Sequence, residues 1–325
     1  MASRSALADQ VAVEQLGPGE YVSKLLPMRM GNSMPIAYGG CATSLAVSAA
    51  CATAPPNMAL YSVLGHFHGP ASTDRKLYCS VSNTRDTRSF VTRRVQVKQK
   101  QPDGKLRVCL ELIADFHIKE PSLFVYSEPP SSKWPQPMDC PDMQTQISSL
   151  LADGVITKEQ GEEYAKSFGI NDQFFETRYC MEGVAGQNIS GAAKATVTTQ
   201  DHRHITDKIS AEWQRAKQPL HLPAENLGAL SFLMDGGLSF LPLTHNHMWF
   251  DDVTACSTLD FALRVFVPDV KLCDWHLRER KTSRASNGRS FAEGKLWDEQ
   301  GNLVASVSQQ SIMRLKKQVP LSKLS

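Results

Sequence analysis

No apolar run in the sequence approaches the roughly 18 residues needed to cross a bilayer. Charge of one sign is missing too. Lys plus Arg is 35 against 33 for Asp plus Glu, a net charge of +2. That balance leaves no electrostatic footprint for a nucleic acid or another polyanion. The eight cysteines (Cys41, Cys51, Cys79, Cys109, Cys140, Cys180, Cys256 and Cys273) include no CxxC pair, and several lie in apolar runs, where cysteine acts as a small hydrophobe. A reduced intracellular protein is the natural reading. Residues 1–20 scatter Arg4, Asp9, Glu14 and Glu20 among apolar residues, which breaks the unbroken stretch a signal peptide requires. Glycine (20) and proline (18) are too few for collagen-like or low-complexity chains. The chain has 325 residues, 42% of them hydrophobic, enough for one large domain or two ordinary ones with no disulfide staples.

The chain reads as one pattern played twice. Residues 38–53 are small and Ala-rich, opened by Gly39-Gly40 and closed by Pro55-Pro56, which predicts a helix able to lie close against a sheet. Strand-like runs follow at 60–68, 76–84, 89–99 and 105–117. The last two alternate apolar and polar residues and are joined by Pro102-Asp103-Gly104. The second half repeats the order. A helix with proline in its first turn spans Pro223 to Asp235. Strand-like runs follow at about 255–267, 273–283, 289–298 and 302–315, the last two joined by a turn containing Gly301. Each half is expected to be a helix followed by an antiparallel meander, the helix burying its stripe across a curved sheet. The fold class is therefore α+β, a double hot-dog. The expected division is an N-terminal hot-dog over 1–118, a linker over 119–205 and a C-terminal hot-dog over 206–325. Within the linker, 119–137 is rich in Pro and Ser, and 142–168 has a helical stripe.

Four stretches resemble the acyl-CoA thioesterase II family. They are Asn83 to Val95, with its Thr-Arg, Ser-Phe and Arg-Arg-Val elements; Asp235 with Leu238-Ser239-Phe240-Leu241-Pro242, like the family's Asp-bearing helix; His247 to Phe250 with Thr258-Leu259-Asp260, like parts of the strand after it; and Val304 to Arg314, like the final strand. The likeness runs from about residue 20 to 316. It implies hydrolysis of fatty acyl-CoA to free acid and CoA, hence lipid metabolism, by an Asp, a Thr and a Gln in the second hot-dog. Residue by residue these are Asp235, Thr258 and Gln309. A thioester carbonyl is attacked by water, and Asp235 supplies a carboxylate to activate it. Thr258 and Gln309 offer donors and acceptors that can fix the water. Gly39 and Gly40, at a helix start, are weaker candidates for the oxyanion. The resemblance implies no cofactor or metal, an acyl-CoA substrate, no nucleic acid, no membrane span, and a homo-oligomer.

The sequence also departs from the pattern. Gly236-Gly237, directly after Asp235, reads as an insertion where the carboxylate must be aimed. Gln310 beside Gln309 leaves two registers, which face opposite ways on a strand; Met313-Arg314 favours Gln309. Without the resemblance Asp235 is an ordinary helix end before a Gly-Gly stop, and Thr258 is an ordinary β-branched strand residue. The pairs His66/His68, His202/His204 and His245/His247 have strand-ligand spacing, but no Cys or Glu stands where a zinc site needs it. Arg93-Arg94 and Arg278 to Lys281 are possible partners for CoA phosphates, or solvated strand faces. No Gly-x-Ser-x-Gly elbow is present. A hot-dog hydratase needs an Asp-x-Asn-Pro-x-His run, and Asp235 lies too far from Pro242 and His245. A non-catalytic acyl-CoA-binding protein on the same fold is the other alternative. At the C-terminus Ser322-Lys323-Leu324 spells the peroxisomal address, but Ser325 follows it, so the expected location is peroxisomal or cytoplasmic.

Overall fold

Small side chains set the closest approach in this molecule. The Ala-rich helix Gly39–Thr53 is buried without interruption from Gly40 to Ala50, and the helix Pro223–Asp235 from Asn226 to Met234. A helix buried around so much of its circumference has no polar face to show solvent and sits inside the fold. The two pack against each other where Gly228 meets Ser48 and Thr43 Oγ1 donates to Ser231 O (3.4 Å).

The computed structural model describes residues 6–31 and 34–316. Its elements in chain order are α1 (Leu7–Val11), β1 (Val13–Gly17), β2 (Glu20–Ser23), α2 (Gly39–Thr53), β3 (Met58–Phe67), β4 (Leu77–Asp86), β5 (Phe90–Lys100), β6 (Leu106–Ile118), α3 (Met143–Ala152), α4 (Lys158–Phe174), β7 (Phe175–Tyr179), α5 (Val184–Gln187), β8 (Ser210–Ala216), α6 (Pro223–Asp235), α7 (Leu241–His245), β9 (Val253–Val265), β10 (His276–Ser286), β11 (Arg289–Asp298) and β12 (Leu303–Leu315). The strands form one antiparallel sheet in the order β1-β2-β4-β5-β6-β3-β9-β12-β11-β10-β8-β7. Within it β4-β5-β6-β3 and β10-β11-β12-β9 are the same arrangement used twice, each preceded by a buried helix. This is the double hot-dog.

The structure corrects the expected meander. It holds for β4-β5-β6 and for β10-β11-β12, but the first strand of each half, β3 or β9, crosses over to pair with the last. That leaves β3 and β9 free to pair with each other, from Ser62–Arg264 to His66–Asp260. Each half thereby covers the strand edge the other would leave open.

Other elements differ from the sequence reading as well. The helix expected over 142–168 is two helices, α3 and α4. Gly154 turns the chain at φ +67°, and Thr157 and Gln160 then make a reciprocal capping box for α4. The stretch His247 to Phe250 is not on a strand. His247 has φ +57°, a short 3₁₀ turn follows at Phe250–Asp252, and β9 begins only at Val253. Leu241 and Pro242 belong to α7, separate from the helix that bears Asp235. The stretch read as a linker contains β7, which pairs with β8 at the sheet edge. Its Pro/Ser-rich part runs over the outer face of β10 and β11, where Trp134 Nε1 donates to Glu279 and Trp297 Nε1 donates to Glu128 O. No helix among the described residues is long and apolar enough to cross a membrane. Ser322-Lys323-Leu324 lies outside the described residues.

Candidate active site

Asp235 is the last residue of α6, so its position is set by how that helix ends. The start is fixed by Pro223 in the first turn and by Glu225, whose carboxylate accepts from the backbone N–H of His221 and Leu222. At the other end Arg278, reaching in from β10, donates through Nη2 to Met234 O (3.1 Å) and to Gly236 O. A cation there meets carbonyls that the helix leaves unpaired and the negative end of its dipole. Gly236 and Gly237 then turn the chain, Gly237 at φ +86°. α6 stays helical through Asp235, so the two glycines lie just beyond the residue that bears the carboxyl.

The Asp235 carboxyl faces β12, β9 and the start of α2. Gln309 Nε2 donates to Asp235 Oδ1 (2.9 Å), and Thr258 Oγ1 donates to Gln309 Oε1 (3.1 Å). The three residues singled out by the sequence are therefore one hydrogen-bonded chain. Its polarity is fixed at Asp235: an ionised carboxylate only accepts, which turns Gln309 Nε2 toward it and leaves Oε1 to the Thr258 hydroxyl, a group able to donate or accept. The register question resolves on Gln309, which is 1% exposed and points inward. Gln310 faces the other way and donates to Asp260 Oδ2 (3.3 Å). A β-bulge does the rest. Gln310 pairs with Asp260 but Ser311 pairs with Thr258, so Leu259 is the extra residue. Without that bulge Thr258 would face out, on the opposite side from Phe261; with it, Thr258 turns to the same side as Gln309.

The first half contributes the start of α2. Gly39 lies against Asp235 Oδ2, and the Gly40 backbone stands close enough to oppose the rise in the carboxyl's pKa. Both glycines named from the sequence as oxyanion candidates thus stand near the carboxyl. Asp235 keeps some solvent access, but protein surrounds its carboxyl. Burial pushes its pKa up from 3.8 to about 7, against the opposing pull of Gln309, Arg278 and Gly40. A carboxyl that titrates near neutrality can take and return a proton. It opens onto a space of about 190 Å³ lined by Met234, Phe261, Leu263 and Val307, with Thr43 and Ser231 from the two helices.

The remaining candidates fall elsewhere. Arg93 is buried against Asp86 (2.8 Å) and donates to Thr53 O at the end of α2 (3.0 Å), and Arg94 makes a two-point pair with Glu111 on the outer face. Arg278 and Arg280 alternate inward from β10 rather than forming a solvated face, both buried beside Glu212. Burial holds His245 down to about 3, and its ring meets Ser210 Oγ (3.0 Å); His247 meets Asp201 (2.8 Å). Among the described residues no group of three His, Cys, Asp or Glu side chains is placed to hold a metal ion. The buried arginines were visible in the sequence only as an alternation, Arg278-x-Arg280. Which face of β10 turns inward is a tertiary fact.

Family models describe the same two halves. The model for the acyl-CoA thioesterase N-terminal domain matches residues 26–117, and that for the acyl-CoA thioesterase C-terminal domain matches residues 176–313. A search of curated proteins returns no match. Among solved structures, the acyl-CoA thioesterase II TesB2 of Mycobacterium marinum aligns with a TM-score of 0.67 at 19% identity, covering 96% of this chain and 99% of that one. A putative thioesterase II of Thermobifida fusca aligns with a TM-score of 0.68 at 14% identity, covering 96% and 99%. The tesB protein of Mycobacterium avium subs paratuberculosis gives 0.65 at 17%, covering 94% and 98%. At these identities the structures speak to the fold. The family models speak to descent: this chain belongs to the acyl-CoA thioesterase family, in its two-domain hot-dog form.

Proposed function

We propose that the chain hydrolyses acyl-CoA thioesters to a free acid and CoA, with Asp235, Thr258 and Gln309 as its catalytic residues. The half spanning 206–325 would carry all three, and the half spanning 1–118 would contribute the start of α2. One observation carries the reading: the chain Thr258–Gln309–Asp235 ends on a carboxyl with a pKa of about 7, at the mouth of an apolar space. In this reading a water sits against Asp235 and Thr258. The deprotonated carboxyl takes its proton as the oxygen attacks the thioester carbonyl carbon. The tetrahedral intermediate collapses, the carbon–sulfur bond breaks, and the proton passes from Asp235 to the departing thiolate. Gln309 orients the base and keeps its ionised form within reach of neutral pH. The acyl chain lies along Phe261, Leu263 and Val307.

The test is release of free CoA, followed with a thiol reagent, from acyl-CoAs ranging from butanoyl to octadecanoyl. Wild type should release thiol and Asp235→Asn should not, while retaining a cooperative thermal transition. Equal rates in the two proteins would refute the site. Tight acyl-CoA binding with no release from any chain length would favour a binding protein on this fold.

A further inference from the structure

A small second core lies apart from the main one, and the proposed chemistry does not use it. Ala211, Trp213, Trp275 and Leu277 are buried there together with Cys140 and Cys180. The Pro/Ser-rich stretch of chain covers this cluster from outside. Ser131 N–H and Trp134 Nε1 donate to Glu279, and Trp213 Nε1 donates to Pro135 O (2.8 Å). A single 3₁₀ turn at Pro137–Asp139 then delivers Cys140. Cys180 arrives from the other side, directly after β7, with its N–H donating to Ala211 O (3.2 Å).

The backbone sets the two cysteines against each other. Tyr179 N–H donates to Pro141 O (2.8 Å), and the sulfurs of Cys140 and Cys180 are in contact at 3.9 Å. Only an antiparallel run brings both about, since there a step back from 141 meets a step forward from 179. The return bond is missing because proline has no N–H. Cys140 is itself extended, at φ −97° and ψ 140°. The two cysteines thus hold the position next to a bonded pair, where Cα atoms are about 4.5 Å apart and side chains are closest. That spacing lies within what a disulfide bridges. Four other thiols donate to backbone carbonyls instead: Cys41 to Met28, Cys109 to Arg107, Cys256 to Ser239 and Cys273 to Gln218.

The pair is unequal. The hydrogen bond they share holds the Cys140 thiol below its ordinary range and pushes that of Cys180 up. Cys140 is also nearer to solvent. Met138 and Asp139 beside it are exposed, whereas Cys180 is fully enclosed.

We propose that Cys140 and Cys180 are a redox modification site, which forms a reversible disulfide when the protein meets hydrogen peroxide. The Cys140 thiolate attacks one peroxide oxygen and the O–O bond breaks. The departing hydroxide takes up the proton released when the thiolate formed, leaving a sulfenic acid and one water. The Cys180 sulfur then attacks the Cys140 sulfur and the S–O bond breaks. The hydroxyl leaves with the Cys180 proton as a second water. The two thiols lose two electrons and peroxide gains them. A small dithiol reverses the bond by exchange. The disulfide closes a loop holding α3, α4 and β7, and fastens the covering stretch to the β7–β8 edge of the sheet. It is independent of the hydrolysis proposed at Asp235.

The test treats the folded protein with excess hydrogen peroxide, blocks remaining thiols and digests with trypsin without reduction. Peptide 134–158 should appear joined to peptide 179–194, lighter by two hydrogens, and dithiothreitol should separate them. Thiols titrated in denaturant should fall from eight to six. Cys180→Ser should give no cross-link and a Cys140 sulfenic acid that dimedone labels. Cys140→Ser should give neither. If a variant loses its thermal transition, the wild-type cross-link decides alone. Eight thiols still free, sulfinic acid at Cys140 in place of the link, or links scattered among the other cysteines would each overturn the inference. So would an oxidised protein that melts below the reduced one, since the bond would then form only by distorting the fold.

Discussion

Replacing Asp235 by asparagine should stabilise the protein, and by an amount that grows with pH. The carboxyl has a pKa of about 7 in the fold against an ordinary 3.8. That is roughly a thousandfold in proton affinity, or about 4 kcal/mol. Below the lower value both folded and unfolded chains hold the proton, and the group contributes nothing. Between the two values the folded chain holds a proton that the unfolded chain has released, so stability falls as pH rises. Above about 7 both have released it, and the full cost of an ionised carboxylate in this enclosure is present. Asparagine has no such cost. It can also keep the contacts: Nδ2 donates to a Gln309 amide turned over, whose Nε2 then donates to the Thr258 hydroxyl. The 4 kcal/mol is an upper bound, because Asp235 keeps some solvent access. At no more than about 2–4 °C per kcal/mol, the variant's advantage in melting temperature should open by up to about 10 °C between pH 5 and pH 8.5. The assay is thermal denaturation of both proteins across that range, beside CoA release. An advantage that stays flat or narrows as pH rises would refute the claim that the native carboxyl resists ionisation.

The same titration predicts the rate profile: kcat/KM should climb with pH through about 7 and then level, since the base acts deprotonated. A profile level from pH 5 to 9 would count against Asp235 as the base. Thr258→Val keeps the strand and the shape but removes the donor to Gln309 Oε1, loosening the amide that holds Asp235. It should lower kcat about tenfold to a hundredfold with little change in KM, the signature of an interaction made in the transition state. A change confined to KM would mean that Thr258 only binds substrate. Gly237→Ala places a Cβ at φ +86° and against Arg280. It should lose at least about 1–2 kcal/mol of stability from the backbone alone, read by chemical denaturation.

Much of this protein was legible in the sequence because the signals were local. Small residues between Gly39 and Pro55 fix a helix whatever surrounds it, and Pro223 and Glu225 mark the start of α6. Alternation in 89–99 and 105–117, with Gly104 between them, fixes a hairpin. The order of elements, repeated, fixes the double hot-dog, and the resemblance singled out Asp235, Thr258 and Gln309, which the fold then brings into contact. What the sequence left open depended on partners far along the chain. Whether the first strand of each half pairs with the next strand or the last is decided by the β3–β9 seam, a contact between halves some 200 residues apart. Short strands such as β2 and β8 carry too few residues to show a period, and they exist because an open sheet edge accepts them. The bulge at Leu259 that turns Thr258 inward is invisible to a count of alternating residues. So is the pKa of Asp235: enclosure among α2, β9 and β12 raises it against the opposing pull of Gln309 and Arg278, groups that meet only in the tertiary structure. Local sequence determined which elements form and which side chains could act. Tertiary packing decided their registers, their facing and the charge state of the carboxyl on which the proposed chemistry depends.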